Sequence, residues 1–309
     1  MMKHPGHRSA RPTAAATAAA AALILLAACD DSATGPGLDP GDGDEPPVSE
    51  APAVLVGAGD IAGCSSDGDE ATAALLDTIP GTVFTLGDNA YSSGTAEQFA
   101  ECYHPSWGRH RERTRPVPGN HDYGTPGAAP YFDYFGENAG EPGKGYYSYD
   151  LGDWHVIALN SEIDIEAGSE QLAWLAADLA ANPATCTVAY WHHPRFSSGS
   201  HGSDSALRDL WQMLDEAGVD LALTGHDHDY ERFAPQDADG NADPDGIRQF
   251  VVGTGGADLR PFDGVEPNSE RRIDGTAGVL KLELYEDSYR WTFIATDGTV
   301  RDEGEAACG

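Results

Sequence analysis

Basic residues are scarce in this chain. Its 309 residues carry only 18 Lys and Arg, three of them Lys, against 51 Asp and Glu, for a formal net charge of −33. A field of that sign repels polyanions, which excludes nucleic acid as a partner; solubility or adaptation to salt accounts for most of the carboxylates. Long apolar runs are also missing. The most apolar stretch, Thr13 to Ala28, is Ala-rich, and at about 16 residues it falls short of the roughly 20 needed to cross a bilayer. No internal repeat is evident. The acidic loop from Asp237 to Asp245 could bind Ca²⁺, but it lacks the terminal Glu and the spacing of an EF-hand.

The N-terminus reads as a targeting segment. Lys3, Arg8 and Arg11 make a basic start, the Ala-rich stretch follows, and Leu26-Ala27-Ala28-Cys29 resembles a bacterial lipobox. Residues 1–29 are therefore expected to be a lipoprotein signal peptide, cut before Cys29, with the new terminus lipidated and the protein exported and anchored to a membrane by that lipid alone. Residues 30–52, in which Gly, Pro, Asp and Glu nearly alternate, read as a disordered tether. That leaves 53–309 as one catalytic domain. Export also suits the remaining four cysteines, Cys64, Cys102, Cys186 and Cys308. Four allow three pairings in an oxidising compartment. Cys64 and Cys102 both lie in loops just past a strand that ends in a motif, so Cys64 with Cys102 and Cys186 with Cys308 is expected.

Five short stretches bring metal-binding side chains to a strand-to-loop junction: Gly59-Asp60, Gly87-Asp88-Asn89-Ala90-Tyr91, Gly119-Asn120-His121-Asp122, Trp191-His192-His193-Pro194 and Gly225-His226-Asp227-His228. Four follow apolar runs rich in β-branched residues, Ala53 to Ala58, Thr82 to Leu86, Thr187 to Trp191 and Val219 to Thr224; the third follows the shorter Pro116-Val117-Pro118. The carboxyl ends of strands in an α/β sheet face one crevice, so ligands this far apart in sequence would converge. A carboxylate able to bridge two cations, with N and O donors on each, suits hydrolysis of phosphate esters with two metal ions. Asp88 is the candidate bridge.

The motifs Gly87-Asp88-x-x-Tyr91, Gly119-Asn120-His121-Asp122 and Gly225-His226-x-His228, in that order, resemble the calcineurin-like metallophosphoesterases and, within them, the purple acid phosphatases. The resemblance implies a four-layered αββα sandwich of the α/β class and an exported phosphatase that hydrolyses small phosphate monoesters by attack of a metal-held hydroxide. It also implies one metal on Asp60, Asp88, Tyr91 and His228 and the other on Asp88, Asn120, His192 and His226. Tyr91 as a ligand calls for a cation acidic enough to hold phenolate, which implies Fe(III) beside Fe(II), Zn(II) or Mn(II). His121 would stabilise charge on the phosphoryl group, and His201, in Ser200-His201-Gly202, would protonate the leaving oxygen. The family pattern has Gly where Ala62 stands, and its Val-x-x-His motif has Val where Ala189 stands. A Mn- or Zn-dependent phosphodiesterase on the same fold is the alternative, with Tyr91 then a packing aromatic at the rim. A binding module that keeps the fold without turnover is a third reading, which the intact ligand set argues against.

The neighbouring polar residues are expected in supporting roles. His193 would pack beside the site, Asp122 would orient an imidazole, and Asp227 and Asp229 would be solvated or cap backbone N–H groups. Arg195 and Arg232 would form surface salt bridges rather than contact phosphate. Between the motifs, Ala71 to Ile79, Ser169 to Ala181 and Ser205 to Ala217 show helical spacing, the last two with Trp174, Leu175, Leu179 and Leu207, Leu210, Leu214 facing inward. Tyr146 to Leu151 and Trp154 to Asn160 read as a hairpin around Gly152-Asp153; Gln249 to Gly253, Val279 to Tyr285 and Tyr289 to Ala295 read as strands.

Overall fold

The computed structural model describes residues 51–309. The expected signal peptide and nearly all of the expected tether lie outside the described residues. Within them, no helix is long and apolar enough to cross a membrane.

The helices are α1 (Gly68–Leu76), the single-turn α2 (Ala96–Gln98), α3 (Ala129–Phe135), α4 (Glu170–Ala181) and α5 (Arg208–Glu216). The strands run β1 (Ala53–Ala58), β2 (Thr82–Leu86), β3 (Thr114–Val117), β4 (Tyr147–Leu151), β5 (Trp154–Ala158), β6 (Cys186–Tyr190) and β7 (Leu221–Thr224). They continue with β8 (Tyr230–Phe233), β9 (Arg248–Val252), β10 (Ser269–Ile273), β11 (Gly278–Leu284), β12 (Ser288–Ala295) and β13 (Val300–Ala307). Two mixed sheets result, one of six strands in the order β13-β12-β11-β1-β2-β3 and one of seven in the order β10-β8-β9-β7-β6-β5-β4. β1, β2 and β3 are mutually parallel, as are β5, β6, β7 and β9.

Alternation along the inner strands of the second sheet shows how the layers stack. Val156, Val188, Tyr190, Leu221, Leu223, Phe250 and Val252 point into a core shared with the first sheet. Their neighbours Ile157, Ala189, Trp191, Ala222 and Val251 point the other way, onto Leu172 and Leu175 of α4 and Leu210, Trp211 and Leu214 of α5. Side chains that alternate at a period of two can fill both faces only when both are covered, which is why these strands read as continuous apolar runs. Ala73 and Leu76 of α1 join the core of the first sheet. The arrangement is the expected α/β sandwich.

Local differences have physical causes. Ser205–Leu207 is a 3-10 turn leading into α5, because the Asp204 side chain accepts from the Ala206 N–H and caps that turn. On α4 the fully buried apolar positions are Leu172 and Leu175, while Trp174 and Leu179 are only partly covered. Both expected disulfides are present, Cys64–Cys102 and Cys186–Cys308. The second ties the chain end beyond β13 to the start of β6.

Candidate metal centre

The two sheets meet where their parallel strands end. Gly59 N–H donates to the Val252 carbonyl at 2.8 Å, and Gly255 N–H to the Gly59 carbonyl at 2.8 Å, joining the end of β1 to the end of β9. The Asp60 N–H donates to the Gly87 carbonyl at 3.0 Å and the Gly225 N–H to the His192 carbonyl at 2.9 Å. These bonds join four of the motifs, and the His121 N–H, which donates to Asp88 Oδ1 at 2.8 Å, brings in the fifth.

Three candidate ligands sit in the left-handed region, Asp60 at φ 59°, Asp88 at φ 51° and His226 at φ 70°. For residues with a Cβ this costs on the order of 1–3 kcal/mol each and persists only where the surroundings hold it. Here the Ile61 N–H bonds the Asp88 carbonyl at 3.0 Å, and the His226 N–H bonds Asp60 Oδ2 at 2.8 Å. Two glycines leave the room: a Cβ on Gly87, itself at φ +81°, would stand 2.6 Å from His192 Nδ1, and one on Gly119 would stand 2.3 Å from Asp88 Oδ1.

The donors converge in two groups that share Asp88. In the first, the Tyr91 hydroxyl lies 2.8 Å from Asp60 Oδ1, 3.1 Å from Asp88 Oδ2 and 3.2 Å from His228 Nε2. In the second, His192 Nε2 lies 3.0 Å from Asn120 Oδ1, 3.2 Å from His226 Nδ1 and 3.4 Å from Asp88 Oδ1. Backbone carbonyls settle which way the rings serve. His192 Nδ1 is 2.6 Å from the Leu86 oxygen and His228 Nδ1 is 2.6 Å from the Asp258 oxygen, so both must donate there. Their Nε2 lone pairs then face carboxylate, amide and phenol oxygens and a third imidazole, with few protons to share. Such a set fits a pair of cations that take mixed N and O ligands, such as iron, zinc or manganese, with the carbonyls orienting the imidazoles.

The electrostatics show the same demand for positive charge. Burial works against a charged His192, but the Asp88 carboxylate outweighs it and raises the imidazole to about 10. Burial also opposes ionisation of Asp88, yet His192 and His121 together hold it well below the usual carboxylate range. Burial and the charges of Asp60 and Asp88 push the Tyr91 phenol far up, the effect that a nearby cation reverses. His226 is driven well down by burial and by the neighbouring imidazoles of His192, His193 and His201.

His121 and His201 flank the two groups. His121 packs against Tyr91 with ring centroids 4.5 Å apart and the planes tilted by 50°, and its Nε2 stands 3.8 Å from Asp88 Oδ2. Its Nδ1 is 2.7 Å from the Ser92 carbonyl. The His201 ring lies 4.3 Å from that of His226. Its Nδ1 donates to Asp227 Oδ1 at 3.1 Å, and its Nε2 receives an N–H of Arg260 at 2.7 Å.

Several expected supporting roles differ. Asp122 makes no hydrogen bond to an imidazole among the described residues: it is buried and accepts from Gly119 N–H at 2.9 Å and from Asn89 Nδ2 at 2.9 Å, tying two motif loops together. Burial and the Asp88 charge raise its carboxyl to about 7. Asp227 and Asp229 are buried, not solvated. Asp227 does cap backbone, accepting from His201 N–H at 2.8 Å and Gly202 N–H at 3.2 Å, and it also takes the Ser197 hydroxyl. Asp229 has one carboxylate oxygen without a partner among the described residues, and burial with Asp227 and Glu231 beside it raises its carboxyl to about 9. His193 packs its ring 4.2 Å from His226 and binds Glu162 at 2.8 Å, as a supporting residue would. Arg232 pairs with Asp302 at 2.7 Å. Arg195 makes no salt bridge among the described residues; it donates to the Ala238 carbonyl and lies over the Phe196 ring. In the Asp237 to Asp245 loop, Asp237 is taken up by the N–H groups of Asp239 and Asn241.

Arg260, Ser197 and Gly255 escaped the sequence reading. Arg260 carries no motif and lies in an irregular segment. Its position comes from its own N–H, which donates to the His228 carbonyl at 3.1 Å.

Comparison with known proteins agrees with the geometry. Residues 54–230 match the family model described as calcineurin-like phosphoesterase. Purple acid phosphatase 15 of Arabidopsis thaliana is 26% identical over 245 residues, covering 67% of this chain and 46% of that protein. Purple acid phosphatase 18 of the same plant is 32% identical over 126 residues, covering 39% of this chain and 29% of its own. The structure of a purple acid phosphatase from yellow lupin (Lupinus luteus) seeds superposes with a TM-score of 0.67 at 22% identity, covering 82% of this chain and 53% of that one. The chain thus spans about half the length, or less, of these relatives.

Proposed function

The chain belongs to the calcineurin-like phosphoesterase family, and on that premise we propose that it is an exported, lipid-anchored phosphatase of the purple acid phosphatase type that hydrolyses phosphate monoesters with two metal ions. One metal is assigned to Asp60, Asp88, Tyr91 and His228 and the other to Asp88, Asn120, His192 and His226. The observation that carries this reading is the Tyr91 hydroxyl, which lies within 3.2 Å of Asp60, Asp88 and His228. A phenol placed there favours Fe(III) on that side, with Fe(II), Zn(II) or Mn(II) on the other. When bound, two such cations supply Lewis-acid stabilisation and an acidified water.

The protein's own groups do the rest. His121, with Nδ1 against the Ser92 carbonyl and Nε2 on the side of Asp88, is placed to hold a phosphoryl oxygen. Asp227 fixes the His201 loop through two N–H groups and holds the ring by Nδ1. For His201 to protonate the leaving oxygen, Nε2 must carry the proton, and that nitrogen accepts from Arg260. Proton transfer from His201 therefore requires Arg260 to turn aside. Export and anchoring rest on Leu26 to Cys29 and are supported by two disulfides of the kind that persist in oxidising compartments.

The test is turnover of p-nitrophenyl phosphate against bis(p-nitrophenyl) phosphate by protein purified with iron, zinc or manganese. Higher kcat/KM on the monoester, best below neutral pH, is expected. Faster cleavage of the diester, best at alkaline pH with manganese, would assign the phosphodiesterase activity instead.

A further inference from the structure

We propose that Arg260 is a subsite for a second anionic group of the substrate, so that the preferred esters carry a carboxylate or another phosphate close to the ester oxygen. The inference rests on the phosphatase reading and deepens it. Arg260 follows β9 in the segment that caps the metal centre. Ala257 N–H donates to the Asp60 carbonyl at 2.9 Å and Arg260 N–H to the His228 carbonyl at 3.1 Å, so the backbone leading up to and including Arg260 is pinned to candidate ligands. The His228 carbonyl takes this N–H while its ring gives Nδ1–H to Asp258, locking the segment to that residue twice.

The side chain carries the inference. In a protein of net charge −33, Arg109, Arg208, Arg232, Arg248, Arg290 and Arg301 hold carboxylates. The other described arginines, Arg260 among them, hold none, and of these Arg260 is the one that hydrogen-bonds a histidine of the candidate centre. Among the described residues its one side-chain hydrogen bond goes to His201 Nε2, at 2.7 Å. An imidazole carries no negative charge with which to balance the guanidinium, and the other ring nitrogen of His201 faces the buried Asp227. A half-buried guanidinium beside the leaving-group histidine, with donors to spare, matches the planar oxygen pair of a carboxylate or phosphate. An ester whose second anion lies near the scissile phosphate would reach both the metals and Arg260.

Binding tests this without turnover. Phosphonoacetate and 2-hydroxyethylphosphonate differ only in a carboxylate against a hydroxymethyl group, and neither has an ester to hydrolyse. Calorimetry on the metal-loaded protein should show phosphonoacetate bound more tightly, by about tenfold, the scale of one charge-assisted hydrogen bond. Arg260→Gln keeps an N–H for His201 and removes the charge, so a merely structural arginine would leave the difference intact; the expectation is that it disappears while metal content is unchanged. Arg260→Lys, which keeps the charge without the fork, should retain a preference in the same direction. No preference in the native protein, or an undiminished one in Arg260→Gln, or none in Arg260→Lys, overturns the proposal. Turnover of p-nitrophenyl phosphate is scored separately. Its absence removes the phosphatase reading while a binding difference stands, and equal binding with turnover intact removes only the subsite.

Discussion

Adding one methyl group at Gly119 should dismantle the metal centre without unfolding the protein. A Cβ there would lie 2.3 Å from Asp88 Oδ1 and 2.4 Å from the Asp88 backbone nitrogen, about 1 Å inside normal contact. The backbone cannot retreat easily, because Asp88 is held at φ 51° and its carbonyl is bonded to Ile61 N–H. The carboxylate must therefore swing away and give up its 2.8 Å bond from the His121 N–H, taking the shared ligand out of both groups. Overpacking of this kind costs about 1–3 kcal/mol, and for a domain of this size that corresponds to a fall in Tm of roughly 2–10 °C. Gly63→Ala is the control, since the nearest atom to its added Cβ is Ser66 Oγ at 3.6 Å. Thermal unfolding and metal analysis of both variants decide the matter. Gly119→Ala with native metal content and native Tm would refute the claim that Asp88 is held in a tight cradle.

Other substitutions separate the roles of individual groups. With iron bound, the protein should absorb visible light through phenolate-to-iron charge transfer, and Tyr91→Phe should lose that band while its far-UV circular dichroism stays native; an unchanged band would place Tyr91 off the metal. His201→Ala should lower kcat on alkyl phosphates by about 10²–10⁴-fold, the usual contribution of a general acid, and far less on p-nitrophenyl phosphate, whose leaving group needs no proton; equal losses would give His201 a binding or structural role. Cys29→Ser should abolish labelling by fatty acid and leave the precursor uncut, and a native protein that takes up no label would end the anchoring proposal.

What the sequence makes legible follows from chemistry that repeats at fixed spacing. Parallel strands such as β2, with Val83, Phe84 and Leu86 buried, announce themselves by apolar side chains on both faces, and Asp60, Asp88, His192 and His226 each stand two residues past a strand end; β3, with Arg115 and Pro116, lacks that pattern. What escapes is what long-range contacts create. β13, with Val300 exposed at 49% and three carboxylates and an arginine among the seven residues from Arg301 to Ala307, has little strand propensity; it forms because β12 offers an antiparallel partner and Cys308 is tied to Cys186. α3 is aromatic without a helical stripe; Phe135 is buried by packing against Phe99 and Tyr103 of a separate helical turn, and Tyr131 packs on Phe135. Asp227 looks like a surface acid beside His228, yet the close approach of Gly199, whose added Cβ would lie 2.4 Å from the Asp227 carboxyl carbon, folds the His201 loop over it. Arg260 joins the site through one backbone bond that no local pattern encodes.

Metal stoichiometry tests the account most directly. Asp88 stands 3.1 Å from the Tyr91 hydroxyl on one side and 3.4 Å from His192 Nε2 on the other, so a single residue should govern both metals. Elemental analysis of the native protein, loaded and then dialysed, should give two metal ions per chain, and the same analysis of Asp88→Ala should give almost none, with phosphatase activity lost alongside. Retention of two metals by Asp88→Ala would contradict the shared-carboxylate centre on which the rest is built.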